Sequence, residues 1–203
     1  MQAERLFTAS GDAMEGPLLL TPKVFTDARG FFFESWNASA FAQVLEADRQ
    51  PVPAFVQDNH SRSSRGVLRG LHYQLPPHPQ GKLVRCVVGE IFDVAVDLRR
   101  SSATFGQWVG AHLSASNHQQ LWVPVGFAHG FLTLSEHAEV IYKTTDVWSR
   151  DCECAIRWDD PGLAIGWPLE DLAGARPQLS EKDAAGQLLA DLAACPPKTR
   201  MDS

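Results

Sequence analysis

Short runs of alternating hydrophobic and polar residues fill the middle of the chain, from residue 55 to residue 158. They are rich in Val, Ile, Phe, Trp and Thr, and turn residues such as Gly66, Pro76-Pro77 and Gly81 separate them. A period of two residues is typical of β-strands with one buried face. At least eight such strands follow one another without an intervening helix, which indicates antiparallel strands closed into a sandwich, jelly roll or barrel. The sequence therefore predicts a mainly β fold.

Two stretches carry a helical period instead. The first runs from residue 39 to residue 47, and the second begins at residue 180. Their apolar stripes consist of Phe41, Val44 and Leu45 in the first and Leu188, Leu189 and Leu192 in the second. We expect both to be short helices at the periphery of the β fold.

The chain shows no internal repeat, low-complexity tract or interdomain linker, so we expect one domain over residues 1–203. Residues 1–16 and 195–203 are expected to be peripheral, and the first 20 residues or so to be loosely held. With a net charge of −6, the acidic balance argues against a nucleic-acid or anionic-membrane partner, both of which need a basic surface. The N-terminus reads neither as a signal peptide nor as a spanning helix, which predicts a cytoplasmic location.

The four cysteines, Cys86, Cys152, Cys154 and Cys195, do not form paired C-x-x-C units. We expect them to be free thiols rather than ligands of a structural zinc ion.

Polar side chains interrupt the strand pattern where a buried face is expected. In the run over residues 67–74, alternation places His72 and Gln74 on one face and Arg69 on the opposite face. Gly70 is the candidate for a local irregularity that would bring Arg69 and His72 into one cavity.

Three further strands carry polar residues on an apolar face. Lys82 is level with Val84, His129 shares a face with Phe131, and Tyr142 lies in a similar alternating run. Taken alone, Lys82 is expected to snorkel to water, and each of the others to fill the core with one hydrogen-bond partner. Their recurrence on successive strands of a barrel favours a polar cavity instead.

The spacings G-x5-H-x-Q, ending at Gln74, and P-x-G-x-x-H, ending at His129, resemble the two cupin motifs. Metal-binding cupins carry a second histidine and a glutamate in the first motif, and Gln74 occupies the place of that histidine. Two imidazoles and an amide are a poor ligand set for Zn, Fe or Mn. We therefore expect no metal and no other cofactor.

Five longer motifs stand in order between about residue 17 and residue 190. They are Asp27-Ala28-Arg29-Gly30-Phe31-Phe32-Phe33-Glu34, Gln57-Asp58-Asn59-His60-Ser61, Gly66-Val67-Leu68-Arg69-Gly70-Leu71-His72-Tyr73-Gln74, Gly81-Lys82-Leu83-Val84-Arg85 and Gly126-Phe127-Ala128-His129-Gly130-Phe131. Together they resemble the dTDP-4-dehydrorhamnose 3,5-epimerases. The resemblance implies a cupin-type jelly-roll barrel with a few short peripheral helices, a homodimer, and a dTDP-sugar substrate handled without a metal.

The resemblance also implies roles for single residues. His72 matches the catalytic base, Tyr142 the general acid and Asp183 the carboxylate that pairs with the base, and Lys82 is the candidate that stabilises the oxyanion. The remaining matches surround the nucleotide sugar: Arg29, Glu34, Gln57, Asn59, Arg69, His129, Glu153 and Lys182. Val147-Trp148 stands where many relatives have a Tyr-Tyr pair, so either Trp148 stacks on the base of the nucleotide or the nucleotide preference differs.

The implied reaction inverts C3 and C5 of dTDP-4-dehydro-6-deoxy-D-glucose through enolate intermediates and gives dTDP-4-dehydro-L-rhamnose. Epimerisation at C3 alone or C5 alone, a metal-dependent cupin and a non-catalytic sugar-binding cupin remain alternatives. Asp183 also has a second interpretation, because Ser180-x-x-Asp183 at the start of a helix is a capping box. A carboxylate has enough lone pairs to serve both purposes.

Overall fold

The computed structural model describes residues 1–172 and 174–194. Within them lie thirteen strands, two α-helices and two 3₁₀ turns, the latter at Leu169–Leu172 and Leu189–Ala194. The strands are β1 Gln2–Phe7, β2 Ala13–Thr21, β3 Phe25–Asp27, β4 Gly30–Phe32, β5 Gln57–Ser64, β6 Leu68–Gln74, β7 Lys82–Val88, β8 Glu90–Asp97, β9 Trp108–Ser114, β10 Gln120–Val123, β11 Phe127–Thr133, β12 His137–Thr144 and β13 Glu153–Ala155. The helices are α1 Ala38–Ala47 and α2 Glu181–Ala184. The mainly β prediction and the first predicted helix are confirmed.

Two antiparallel sheets make the body of the fold. A six-stranded sheet has the order β1-β2-β10-β7-β12-β5, a five-stranded sheet has the order β13-β6-β11-β8-β9, and β3 and β4 form a separate hairpin. Buried side chains from both sheets, including Val84, Val140, Ile91 and Phe127, meet in one apolar cluster between them. Two facing sheets that share an interior core form the jelly-roll barrel that the family resemblance implies, one of the architectures that the strand pattern left open.

The outer face of each sheet is also covered. Helix α1 places Phe41 and Leu45 on Leu18, Leu83 and Trp122 of the six-stranded sheet. This helix begins at Asn37, whose side chain accepts a hydrogen bond from the Ala40 amide at 3.1 Å. The C-terminal segment covers the five-stranded sheet in the same way, through a cluster that includes Ile156, Leu163, Trp167 and Leu172. Because both sheets are supported from outside, the residues that face inwards are held firmly.

The expectation of a loosely held N-terminus is wrong for residues 2–21. Strand β1 pairs with β2, and β2 pairs with β10 inside the six-stranded sheet. Met14 and Leu20 of β2 are fully buried. The proline and glycine in this segment concealed the alternation that predicts a strand.

The expectation of a continuous helix from residue 180 through the leucines near residue 190 is also wrong. Helix α2 has a single turn, and Gln187 then pairs in strand fashion with Ile156. A Cβ at Gly186 would lie 2.7 Å from the backbone of Ile156 and Arg157, so the chain passes too close to that segment for a helix to continue. Residues 195–203, with Cys195, lie outside the described residues. Within the described ranges, the helices are all too short to cross a membrane.

Candidate active site

A register shift in β6 sets the orientation of the first functional side chains. His129 of β11 pairs with His72, whereas Phe131 pairs with Arg69, so β6 contains one extra residue at this point. As a result Leu68 and Leu71, three residues apart, both pack into the outer core, and Arg69 and His72 share the opposite face. A Cβ at Gly70 would lie 2.6 Å from the Gly130 backbone, which explains why glycine occupies this position. The predicted irregularity at Gly70 is confirmed.

His72 and Asp183 form a hydrogen-bonded pair. The distance from His72 Nε2 to Asp183 Oδ1 is 2.5 Å, and the side chains are 28% and 6% exposed. Ser180 caps α2 by accepting from the Asp183 amide at 3.1 Å, and its hydroxyl donates to Asp183 Oδ2 at 2.7 Å. Burial alone would raise the pKa of Asp183, but the hydrogen bonds from His72 and Ser180 outweigh burial and lower it. The carboxylate therefore serves both the helix cap and the histidine.

Lys82 lies at the start of β7 and points into the barrel. It is buried, and its Nζ donates to the backbone oxygen of His72 at 3.1 Å. The expectation for Lys82 taken alone, that it snorkels to water, is therefore wrong, because its ammonium is held inside by the backbone of β6 in the facing sheet. Burial lowers the pKa of Lys82 to about 8, while the charges of Asp93 and Glu153 act in the opposite direction.

Tyr142 of β12 lines the same small cavity as His72 and Lys82. Burial raises the pKa of its phenol, and the charge of Arg69 partly counteracts that effect. The phenol therefore keeps its proton at neutral pH and can donate it. The cavity has a volume of about 100 Å³, well below the roughly 300–1,000 Å³ that is usual for a fully enclosed ligand.

The mouth of the cavity is polar and includes one large aromatic ring. Lys182 forms an ion pair with Glu153. Trp148 is 55% exposed, and its backbone amide donates to Gln57 Oε1 at 3.1 Å. Gln57 in turn donates to Asn59 Oδ1 at 3.0 Å. These side chains, all expected from the sequence to surround the substrate, are brought together at the entrance.

His129 has a different environment deeper in the barrel. Its Nε2 lies 2.7 Å from Asp93 Oδ1, and the side chains are 8% and 0% exposed. Neither residue lines the cavity, but the charge of Asp93 raises the pKa of Lys82, which does. Asp93 did not emerge from the sequence as a candidate. Its signal is a carboxylate at an inward position of the apolar run Ile91-Phe92-Asp93-Val94-Ala95-Val96.

Arg69, Arg29 and Glu34 lie outside the lining of this cavity. Arg69 donates to Ser63 Oγ at 2.9 Å, and its charge reaches Tyr142. Arg29 is on the β3–β4 hairpin, where it forms an exposed ion pair with Asp27. Glu34 accepts a hydrogen bond from Asn37, next to α1.

The residue that follows the β3–β4 hairpin packs on the outer face of the six-stranded sheet. Phe33, which follows β4, stacks on Arg85 of β7. Arg85 alternates with the inward-facing Lys82 and Val84 and therefore points outwards. The hairpin that carries Arg29 thus continues into a residue on the outer side of this sheet, whereas Lys82 and Tyr142 line the His72 cavity on its inner side.

Gln74, which occupies a metal-ligand position of the cupin motif, has a structural role. Its side-chain amide donates to the carbonyls of His78 and Val147, and its oxygen accepts from the Ser149 amide at 2.8 Å. It therefore fixes the loop that carries Trp148. In the described part of the chain, no three His, Cys, Asp or Glu side chains are grouped so that they could hold a metal ion.

A larger cavity lies elsewhere, between the end of α1 and strands β2 and β10. Its volume is about 780 Å³, and Arg5, Arg49, Arg99 and Trp122 help to line it. None of the residues expected to bind or convert a substrate lines it, and two of its arginines are paired with Asp48 and Asp97. The smaller cavity, with its histidine, lysine and tyrosine, is the better candidate because it holds groups that can move protons.

Comparison with known proteins agrees with this geometry. Residues 12–191 match the family model described as dTDP-4-dehydrorhamnose 3,5-epimerase. A Pseudomonas aeruginosa protein of that description is 59% identical over 191 residues, which cover 94% of this chain and 97% of that protein. The chain belongs to the dTDP-4-dehydrorhamnose 3,5-epimerase family. The resemblance expected from the sequence is confirmed, and with it the isomerase class.

Two solved structures of relatives bear on this family's substrates. The Legionella pneumophila dTDP-6-deoxy-D-glucose-3,5-epimerase, in complex with dTDP-4-keto-L-rhamnose, is 46% identical, with a TM-score of 0.83 over 98% of this chain and 100% of that chain. A 3′-monoepimerase from Streptomyces bikiniensis, in complex with dTDP-quinovose, is 30% identical, with a TM-score of 0.79 over 88% of this chain and 86% of that chain. The cupin-type fold is thus shared by double and single epimerases of dTDP-sugars.

Proposed function

We propose that this protein inverts C3 and C5 of dTDP-4-dehydro-6-deoxy-D-glucose, one carbon at a time, and so forms dTDP-4-dehydro-L-rhamnose. Each inversion removes a proton from a carbon next to the ketone, passes through an enolate, and returns a proton to the opposite face. The observation that carries the proposal is the convergence of His72, Lys82 and Tyr142 on one cavity, with Asp183 bonded to His72.

His72 is the proposed base. Asp183 as a carboxylate accepts hydrogen bonds only, so its partner nitrogen Nε2 carries the hydrogen and Nδ1 is left free to take a proton. When Nδ1 becomes protonated, the imidazolium is stabilised by the adjacent negative charge of Asp183. Asp183 therefore sets the tautomer before the reaction and stabilises the charge that the reaction creates.

Lys82 is the proposed stabiliser of the enolate oxygen. Neutral imidazole, with a reference pKa of about 6.5, is too weak a base to deprotonate a carbon next to a ketone unless the oxyanion is stabilised. A preorganised donor at a developing oxyanion contributes on the order of 10²–10³ in rate. The buried ammonium of Lys82 fits this requirement, because a charge in a site shielded from water acts more strongly than one in solution.

Tyr142 is the proposed acid that returns the proton. Its raised pKa keeps the phenol protonated until the enolate forms. The arginines Arg29 and Arg69 suit a diphosphate, since a planar guanidinium matches pairs of phosphate oxygens. We expect them to contribute to binding more than to turnover.

The test follows solvent deuterium into C3 and C5 of the ketosugar by NMR in D₂O. His72→Ala should abolish exchange at both positions, whereas Tyr142→Phe should slow epimerisation more than exchange, because proton removal remains possible. Circular dichroism of each variant checks the fold. Wild-type exchange in a folded His72→Ala protein would remove His72 from the role of base. NMR of the product formed by the wild-type enzyme distinguishes inversion at both carbons from inversion at one. This distinction matters because the Streptomyces bikiniensis relative is a 3′-monoepimerase.

We also propose that the protein acts as a homodimer in which the β3–β4 hairpin of one chain completes the site of the other. The hairpin carries Phe25, Phe31 and Phe32, all more than half exposed. Exposed aromatic residues in one patch mark an interaction surface. If Arg29 binds the same substrate that His72 converts, the hairpin has to reach the cavity of a second chain.

Mixing two variants tests this arrangement. His72→Ala and Arg29→Ala are each expected to have low activity at substrate concentrations below KM. A mixed dimer has one intact site if the hairpin acts between chains, and about a quarter of wild-type activity should return after the variants are unfolded and refolded together in equal amounts. No recovery, with a dimer confirmed by sedimentation, would place Arg29 in its own chain's site. The cytoplasmic location stays a prediction.

A further inference from the structure

Asp93 is a buried carboxylate whose hydrogen-bonding capacity is only partly used. The residue is 0% exposed, and its Oδ1 pairs with His129. Its second oxygen, Oδ2, has no hydrogen-bond partner among the described residues. A buried charged oxygen without a donor is unfavourable unless another positive group lies within electrostatic reach.

Lys82 is the complementary group. An ammonium has three N–H donors, and in the described part of the chain only the His72 carbonyl accepts one of them. Lys82 stands at the start of β7, and Asp93 faces the same interior from β8. Two N–H donors of Lys82 and one buried oxygen of Asp93 are therefore without a partner among the described residues. Of the neighbouring charges that shift the pKa of Lys82, the carboxylate of Asp93 has the largest effect.

We propose that Asp93 is a positioning residue that keeps Lys82 as a charged ammonium at the floor of the cavity. The catalytic consequence rests on the proposed function, because it assumes that Lys82 stabilises the enolate. The electrostatic link between Asp93 and Lys82 does not depend on that assumption. His129 has a supporting part, since its bond to Oδ1 orients the carboxylate.

Other titratable groups surround Lys82 and have to be separated from Asp93 in the test. Glu153 of β13 also favours the ammonium, whereas Lys182 of α2 disfavours it. The remaining neighbours are His72 and Arg69 of β6, His129 of β11, Tyr142 of β12, and Asp183 of α2.

The experiment titrates Lys82 directly in the full chain. The sequence has five lysines, so the Lys82 signal of the protein labelled with ¹³C,¹⁵N-lysine is assigned from its absence in Lys82→Arg. Asp93→Asn keeps a hydrogen-bond acceptor for His129 but removes the charge. We expect the midpoint of the Lys82 titration to move to lower pH by about one pH unit, because a nearby carboxylate that favours the ammonium is gone.

Thr133→Val is the matched control. Thr133 lies on the same inward face of β11 as His129, and its hydroxyl is buried without a partner in the described chain. Its replacement changes the polarity of the interior but no charge, so the Lys82 midpoint should not move. Glu153→Gln should move it less than Asp93→Asn does.

A second measurement covers the case in which Asp93→Asn does not fold. In the wild-type protein, the Asp93 carboxyl ¹³C signal should respond as Lys82 titrates near pH 8, and this response should be absent in Lys82→Met. An unmoved Lys82 midpoint in folded Asp93→Asn, or an Asp93 signal that ignores Lys82, would overturn the inference.

The kinetic readout separates this inference from the proposed function. The alkaline limb of kcat/KM should move to lower pH in Asp93→Asn, with about a fivefold loss at pH 8 and little change in KM. A shifted Lys82 titration in a protein that does not epimerise the ketosugar would reject the proposed function and leave the link between Asp93 and Lys82 intact.

Discussion

Two histidine–carboxylate pairs lie inside the same barrel, and they differ in access. His72 is 28% exposed, opens into the cavity, and is bonded to Asp183 from a distant part of the chain. His129 is 8% exposed and is bonded to Asp93 on a neighbouring strand. The same two residue types can therefore serve proton transfer where the ring reaches the substrate, or hold a charge in place where it does not.

The largest expected effect comes from breaking the first pair. Asp183→Asn keeps the size of the side chain but can offer an N–H to His72, which permits the wrong tautomer. By analogy with base–carboxylate pairs in other enzymes, kcat/KM should fall by about 10²–10⁴. Steady-state kinetics with the ketosugar measures this fall.

Ser180→Ala is the control for Asp183→Asn. It removes the 2.7 Å hydrogen bond to Asp183 Oδ2 and the cap of α2, but leaves the contact with His72. A lost N-cap costs about 1 kcal/mol of stability, so the melting temperature should drop while kcat/KM changes far less. Equal kinetic losses in both variants would mean that Asp183 acts through the helix rather than through His72.

The second pair should be more important for stability than the first. His129→Ala leaves Asp93 buried without a hydrogen-bond donor, and breaking a buried pair in this way costs about 3–5 kcal/mol. His72→Ala leaves Asp183 with its hydrogen bond from Ser180, beside a cavity that admits water. The free energy of unfolding should therefore fall less in His72→Ala than in His129→Ala. Urea unfolding of both variants at pH 7 compares the two. A smaller loss for His129→Ala than for His72→Ala would contradict this division of roles.

Lys82 connects the two pairs, and its burial should reduce stability. With a pKa of about 8 in the folded protein and about 10.4 unfolded, Lys82→Met should stabilise the fold by roughly 3 kcal/mol at pH 7. The sign follows from proton binding: between pH 8 and pH 10 the unfolded chain binds more protons, so wild-type stability rises with pH. The extra stability of Lys82→Met over the wild-type protein should therefore decrease between pH 8 and pH 10. Urea unfolding at pH 7 and pH 9.5 tests it, and a constant difference would contradict the depressed pKa.

Strand alternation predicted the β fold and the inward faces of β7, β11 and β12, because a period of two is a local property of the sequence. It could not predict that Lys82 is buried, since that depends on the five-stranded sheet that faces it across the barrel. The N-terminal strands and the end of α2 were missed for a related reason. Both are set by pairing with residues far along the chain, Gln120 and Ile156 among them.

The candidate site shows the same limit. His72 was accessible from its motif and Tyr142 from the family resemblance, and Gly70 supplied the signal for the irregularity beside His72. Asp93 was missed because a carboxylate in an apolar strand is visible in the sequence, but its neighbours across the barrel are not. The pairing of His129 with Asp93 required the register of β8 against β11.

The smallest expected effect is at the mouth, outside both pairs. Trp148 is largely exposed and bonds to Glu153. If its ring stacks on the base of the nucleotide, Trp148→Ala should raise KM about fivefold, equivalent to about 1 kcal/mol, and leave kcat nearly unchanged.

Trp148→Tyr should recover most of this loss, because an aromatic face remains. Val147→Ala, which alters the adjacent exposed residue without removing a ring, is the matched control. A fall in kcat with unchanged KM would show that Trp148 orders the loop near His72 rather than binding the base.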